Sequence, residues 1–155
     1  MDIEQLIHTY CDFLYRVAFI YTKDERASEE VVQDVFLKFY QTKDRYDGRA
    51  SIKTYLTKMT INRSYDYLRS WKHRTFSLLE QFTGTTKGAD QHVLQNEERG
   101  EITTAVLKLP VKYREVLLLY YYEDLQVNDI AEFLQVPVST VKTRLQRGRE
   151  KLKQA

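Results

Sequence analysis

Residues 127–153 read VNDIAEFLQVPVSTVKTRLQRGREKLK, two short helical patterns separated by a proline. Pro137 cannot continue the first helix, and Ser139 or Thr140 can cap the second. The apolar face of the first pattern comprises Ile130, Ala131 and Leu134. The buried seam of the second comprises Val141, Leu145, Gly148 and Leu152. The small residues in these two sets let the helices approach closely, so the stretch predicts a helix-turn-helix.

The last helix also has a distinctive exposed surface. Projected at about 100° per residue, the face opposite the seam carries short or amide side chains, namely Ser139, Thr143 and Gln146. Basic stripes flank it on both sides, one with Arg144, Arg147 and Lys151, the other with Lys142, Arg149 and Lys153. Polar side chains that read bases, set between cations that meet phosphates, suit a helix in the major groove. The alternative is a basic helix whose charges are merely solvated.

A second stretch, YLTKMTINRSYDYLR at residues 55–69, places rings, cations and an amide at helical spacing. The stripe comprises Tyr55, Lys58, Asn62, Tyr65 and Arg69. The opposite stripe is mostly apolar and comprises Ile52, Leu56, Met59, Arg63 and Tyr67. We therefore expect the first stripe to be exposed and the second to be buried.

Composition and charge narrow the class of protein. The chain has 155 residues with 43% hydrophobic content, which predicts a globular protein. One cysteine and three histidines predict neither a disulfide nor a metal site. The N-terminus lacks the pattern of a signal peptide, so we expect a cytoplasmic protein without membrane insertion. Residues 138–155 hold six basic side chains and one acid, which favours a polyanionic partner or, alternatively, a solvated helix end.

The chain order predicts an all-α fold with two small helical domains. Residues 1–74 contain one glycine, Gly48, and helical periodicity throughout, with Asp24 at a helix N-terminus and a loop at DRYDGRAS. Residues 75–100 lose the periodicity and collect Gly and Thr, so they are the predicted flexible linker. Residues 101–155 form the second domain, which ends in the helix-turn-helix.

These motifs together resemble a known family. The segment LPVKYREVLLLYYYEDLQVNDIAEFLQVPVSTVKTRLQRGREKL resembles the promoter-binding C-terminal domain of extracytoplasmic-function (ECF) sigma factors of bacterial RNA polymerase. The segments DERASEEVVQDVFLKFY and DGRASIKTYLTKMTINRSYDYLRSWKHR resemble their N-terminal domain. The resemblance implies an alternative sigma factor that is not an enzyme and needs no cofactor. It further implies three partners: core polymerase through its clamp helices and flap, promoter DNA, and an anti-sigma factor.

The resemblance also implies where the first domain binds its partners. The helix matching VVQDVFLKFY docks on the polymerase, with a polar face of Glu30, Gln33, Asp34 and Lys38 and with Val31, Val35 and Phe39 facing inward. A solvated polar face is the alternative. The following loop and helix bind the minus-ten element as single-stranded DNA, through Tyr46, Tyr55, Lys58, Asn62, Tyr65 and Arg69. The cations Arg63, Lys72 and Arg74 follow the phosphates.

Two positions of this surface stay open. Tyr55 stands where the family usually has tryptophan, and it is either a stacking ring or a core ring. Asp66 would repel phosphate, so we expect it to anchor Arg69 or Arg63, the latter being alternatively a simple surface charge.

In the second domain the resemblance places the minus-thirty-five contacts on Lys142, Thr143, Gln146 and Arg147. Helix geometry adds neighbours, which gives the predicted set Ser139, Thr140, Lys142, Thr143, Arg144, Gln146, Arg147 and Lys151. Two other classes remain as alternatives: a stand-alone helix-turn-helix regulator and a helical interaction protein. An enzyme is disfavoured, since Asp44, Asp47 and Asp66 lack supporting metal ligands.

Overall fold

A computed structural model of the chain describes residues 2–79 and 104–154, with side chains for 2–70 and 104–154. Six helices of at least two turns are described: α1 (Ile3–Thr22), α2 (Glu25–Thr42), α3 (Ile52–Leu79), α4 (Val111–Tyr121), α5 (Val127–Leu134) and α6 (Val138–Gln154). No strand occurs in these ranges. The chain divides into two compact units, Met1–Gly88 and Ala89–Ala155, so the all-α class with two domains is confirmed.

The predicted linker is described only in part. Residues 80–100 lie outside the described residues, while residues 75–79 continue α3 to Leu79, beyond the end expected near His73. None of the helices in the described ranges is long and apolar enough to cross a membrane.

Side-chain caps fix the first helical hairpin. The Asp2 carboxylate accepts a hydrogen bond from the backbone N–H of Gln5 at 2.8 Å, and the Gln5 side-chain oxygen accepts one from the backbone N–H of Asp2. These two bonds form a capping box at the start of α1. The Asp24 carboxylate accepts from the Ala27 amide at 3.3 Å, which confirms the predicted start of α2. Lys23, in the left-handed conformation, joins the two helices. This short connection makes α1 and α2 neighbours.

Helices α1, α2 and α3 pack around one apolar core. The predicted inward face of α2 is confirmed, since Val31, Val35 and Phe39 are buried. They pack with buried residues of the neighbouring helices, among them Leu14 and Leu56. Full burial of one such side chain contributes about 1.5–3 kcal/mol, so this core fixes how α2 and α3 present their outer surfaces.

The buried face of α3 differs from the prediction. Three small hydroxyl residues, Thr57, Thr60 and Ser64, are fully buried, whereas four members of the predicted apolar stripe are only half-buried. The Thr60 hydroxyl donates to the Leu56 carbonyl at 2.8 Å, and Thr57 bonds the preceding turn in the same way. The Ser64 hydroxyl, by contrast, has no hydrogen-bond partner among the described residues. Small side chains let α3 lie close to two neighbours, so the buried face is rotated from the one that hydrophobicity alone predicts.

The second domain confirms the helix-turn-helix seam. Val141, Leu145 and Gly148 of α6 are buried, and Leu152 is half-buried. On α5, Ile130 and Ala131 are buried, Leu134 is half-buried, and buried Phe133 joins them although the sequence did not single it out.

Two details of this domain correct the prediction. The Pro137 carbonyl accepts from the Thr140 and Val141 amides, so α6 begins at Val138. Thr140 and its neighbour Ser139 therefore lie inside the first turn instead of capping it. A methyl group on Gly148 would lie 2.9 Å from Leu117 of α4, so the close approach at this glycine is to α4.

Candidate nucleic-acid and polymerase interfaces

The outer face of α2 is polar, with an apolar addition that the sequence reading missed. All four predicted polymerase contacts are exposed, namely Glu30, Gln33, Asp34 and Lys38. Leu37 and Tyr40 lie on the same helix and are 57% and 53% exposed. Their signal was available, because both fall outside the buried positions at Val31, Val35 and Phe39. Exposed apolar side chains among charges are typical of a surface that binds a protein.

A groove of about 500 Å³ separates this face from α3. It is lined by Asp34, Val35, Leu37, Lys38, Gln41, Thr42, Met59, Asn62, Arg63 and Asp66. The Arg63 guanidinium crosses the groove and contacts Asp34 Oδ2 at 2.8 Å. The structure thus brings two predicted polymerase contacts, Asp34 and Lys38, next to the predicted base reader Asn62.

The predicted stripe on α3 is only partly exposed. Asn62 and Arg69 are exposed, whereas Lys58 is half-buried. Tyr65 is also half-buried, with its ring centroid 5.2 Å from that of buried Tyr21. The expectation of a fully exposed stripe was therefore wrong for Lys58 and for the rings, because α3 lies against two helices and its flanks are covered.

Tyr46 and Tyr55 belong to an aromatic cluster. Their ring centroids lie 5.0 Å apart, and the Phe39 centroid lies 6.3 Å from Tyr46 and 5.9 Å from Tyr55, all edge-to-face. The Tyr46 hydroxyl donates to the Ala50 carbonyl. Between them Gly48 has φ +77°, a left-handed conformation that glycine adopts readily. The alternative in which Tyr55 is a core ring is the one that the packing favours.

The ion pairs around Asn62 answer the question left open for Asp66. Its carboxylate pairs with Arg69, three residues further along α3. Arg63 pairs with Asp34 instead, so each acid holds one arginine. Lys72 and Arg74, predicted to follow phosphates, lie beyond the described side chains.

The outer surface of α6 matches the predicted order of side chains. Ser139, Thr143 and Gln146 are exposed, as are Lys142, Arg147 and Lys151. Two cations differ from this arrangement. Arg144 is only partly exposed, with its guanidinium 3.9 Å from the carboxylate of buried Glu115. Arg149 donates from Nε to the Tyr121 hydroxyl at 2.6 Å, which ties it to α4. Thr140 is half-buried.

Comparison with known proteins places both domains. Residues 6–74 match the family model described as Sigma-70 region 2, and residues 99–152 match the model described as Sigma-70, region 4. The chain belongs to the sigma-70 family of RNA polymerase sigma factors, in its extracytoplasmic-function group.

Two relatives from Bacillus subtilis (strain 168) show the extent of the similarity. The ECF RNA polymerase sigma factor SigW is 29% identical, over 96% of this chain and 85% of the relative. The ECF RNA polymerase sigma factor SigM is 28% identical, over 99% of this chain and 94% of the relative. Both alignments span the two domains.

Two solved structures share the fold. The sigma factor RpoE in complex with the anti-sigma factor NepR from Bartonella quintana has a TM-score of 0.74 and 19% identity, covering 97% of this chain and 94% of that one. CnrH in complex with the cytosolic domain of CnrY has a TM-score of 0.70 and 21% identity, covering 97% and 84%.

Proposed function

We propose that the chain is an alternative sigma factor that binds core RNA polymerase and directs initiation at promoters with a duplex minus-thirty-five element and a single-stranded minus-ten element. The single observation that carries this is that one domain exposes the Asn62 amide beside the polar outer face of α2, while the other domain exposes a basic helix. The protein is not an enzyme; the polymerase supplies the chemistry.

The polymerase contact is assigned to the outer face of α2. Its four charged or polar residues are exposed on the same helix as the exposed apolar side chains Leu37 and Tyr40. Protein interfaces combine apolar and polar side chains, and the acids of this face complement basic side chains on a partner. We assign the clamp helices to this face. For the flap we assign the second domain, where Tyr121 and Tyr122 are 52% and 44% exposed.

The minus-ten contact is assigned to Asn62 as the base reader and to Lys58 and Arg69 as phosphate contacts. An amide donates and accepts at once, so it can distinguish the hydrogen-bonding edge of an unstacked base. We propose that Tyr46 and Tyr55 pack within the domain instead of stacking on bases, because both rings contact Phe39 edge-to-face. They hold the loop before α3 so that it is already ordered when DNA arrives. Tyr65 supports α3 against α1 in the same way.

The minus-thirty-five contact is assigned to α6. Thr143 and Gln146 lie in the middle of its exposed surface and are suited to base edges, and Ser139 lies one turn earlier. Lys142, Arg147 and Lys151 flank them and suit the phosphates on either side of the groove.

We further propose regulation by an anti-sigma factor and action in the cytoplasm. The two similar solved structures are each complexes, with NepR in one case and with the cytosolic domain of CnrY in the other. An inhibitor that covered the outer face of α2 would compete directly with the polymerase. Because the amide of Asn62 lies in the adjoining groove, the same inhibitor would also block the minus-ten surface.

A crossed substitution experiment tests the two DNA assignments against each other. Holoenzyme is reconstituted with wild type, Asn62→Ala or Gln146→Ala and is presented with promoter libraries randomised at either element. We expect Asn62→Ala to flatten base preference in the minus-ten element only, and Gln146→Ala to flatten it in the minus-thirty-five element only. Each variant is the control for the other. Unchanged preferences in both libraries would refute the assignment.

A further inference from the structure

A concave site lies between α4 and the first turns of α6, and its lining includes two of the residues assigned to base edges, Ser139 and Thr143. It has a volume of about 300 Å³ and is lined by Lys112, Tyr113, Ser139, Thr140, Thr143, Arg144 and Arg147. Three of these side chains are cationic and three carry aliphatic hydroxyls, while none is acidic. Ammonium, guanidinium and hydroxyl groups all donate hydrogen bonds, so the lining is chemically suited to an anion with several acceptor oxygens.

The cations around this site are held in place by α4. The Tyr113 ring is buried, and the Lys112 and Lys151 ammonium groups lie 5.0 Å and 5.4 Å from its centroid. Attraction between a cation and an aromatic face keeps both ammonium groups near the site. The Arg144 guanidinium is oriented by Glu115 of α4, whose carboxylate lies 3.9 Å away and is 2% exposed.

Glu115 is the acid that the structure places against Arg144, and its charge must be included in the balance. Lys112, Arg144 and Arg147 line the site, Lys151 lies beside the Tyr113 ring, and the Glu115 carboxylate is paired with Arg144. The surplus is positive, and the first turn of α6, with its partly positive helix terminus, adds to it.

We propose that this site binds one backbone phosphate of promoter DNA and that Lys112, which lies outside the recognition helix, is a DNA-contacting residue. The inference rests on the proposed function of α6. Thr143 and Arg147 line the site and also belong to the exposed surface of α6, so a duplex read by that surface brings its sugar-phosphate wall to the site. A base edge is a poorer occupant, because the lining supplies donors from several directions and a phosphate accepts from all of them.

The test compares Lys112→Gln with Lys108→Gln in holoenzyme on duplex promoter DNA. Lys108 is an exposed lysine of the same domain that does not line the site, so both variants remove one charge. We expect only Lys112→Gln to weaken binding, equally for the preferred and a scrambled minus-thirty-five element. For Lys112→Gln the slope of log affinity against log salt becomes shallower by about 0.9. Its loss of affinity relative to wild type is therefore about threefold larger at 50 mM than at 200 mM salt.

Neutral methylphosphonate linkages then identify the phosphate. We expect one linkage position at which wild type and Lys112→Gln bind equally, because the phosphate charge that Lys112 would meet is gone. The absence of any such position, or equal losses for both lysine variants, would overturn the proposal. Failure of wild-type holoenzyme to bind promoter DNA would instead refute the proposed function.

A free phosphate shares the same chemistry, so a separate arm distinguishes that source. Inorganic phosphate is titrated into the full chain by calorimetry, with and without the Lys112→Gln change. We expect no binding below the millimolar range, since the site is open to solvent. Tighter phosphate binding that disappears in the variant, together with unchanged DNA affinity, would overturn the assignment to DNA.

Discussion

Replacing Gly148 by alanine tests how closely α6 is seated on α4. The added methyl group would lie 2.9 Å from Leu117 Cδ1 and 3.2 Å from Leu117 Cγ. Leu117 is 2% exposed, so its side chain has little room to move away. Alanine gains about 0.5–1 kcal/mol over glycine in a helix interior, but overpacking a filled core costs about 1–3 kcal/mol. We expect a net loss of up to about 2.5 kcal/mol in the stability of the second domain.

A double-mutant cycle separates the steric effect from helix propensity. Leu117→Ala alone is expected to cost about 2–5 kcal/mol. In the Gly148→Ala background it is expected to cost about 1–3 kcal/mol less, because there the truncation also relieves the clash. Urea unfolding followed by far-UV circular dichroism reports both domains, while the single tryptophan, Trp71, belongs to α3 and serves as an internal control. Additive effects, or a stabilising Gly148→Ala change, would refute the close seating.

Three further predictions follow from single contacts. Removing the charge of Arg63, of Asp34 and of both should reveal a coupling free energy of about 0.2–1 kcal/mol between the two residues in unfolding experiments. A coupling of zero would contradict an energetically significant ion pair across the groove. Tyr46→Phe deletes the bond to the Ala50 carbonyl and should cost about 1 kcal/mol and speed amide exchange in the loop; unchanged exchange contradicts the packing role. Gln135→Gly, at φ 57°, should raise the melting temperature of the second domain, and a decrease would contradict the left-handed cap.

The second domain was the more predictable from sequence, and α6 shows why. Its buried face carries apolar or small residues at one regular spacing, and the opposite face carries polar ones, so the hydrophobic pattern alone identifies both. Val141, Leu145 and Gly148 are buried as expected. What the pattern could not give is which helix meets Gly148, because that depends on the tertiary approach of α4.

Helix α3 was harder because it packs against two helices. Burial of Thr57, Thr60 and Ser64 depends on side-chain size, and for the two threonines also on local hydrogen bonds, neither of which a hydrophobic pattern registers. Tyr55 looked like a stacking residue because nothing in its own helix shows that Phe39 and Tyr46 lie beside it. Pairings between distant segments of this kind, like the meeting of Lys112 with α6, require the fold itself.

The central claim is that this chain makes bacterial core RNA polymerase initiate at specific promoters. The most direct measurement is a run-off transcription assay with purified chain, core polymerase and a library of promoter fragments, with Asn62→Ala and Arg147→Ala in parallel. We predict discrete transcripts that require the chain and that both substitutions weaken. No chain-dependent transcript, together with no co-elution of the chain with core polymerase, would contradict the account and favour a stand-alone DNA-binding regulator.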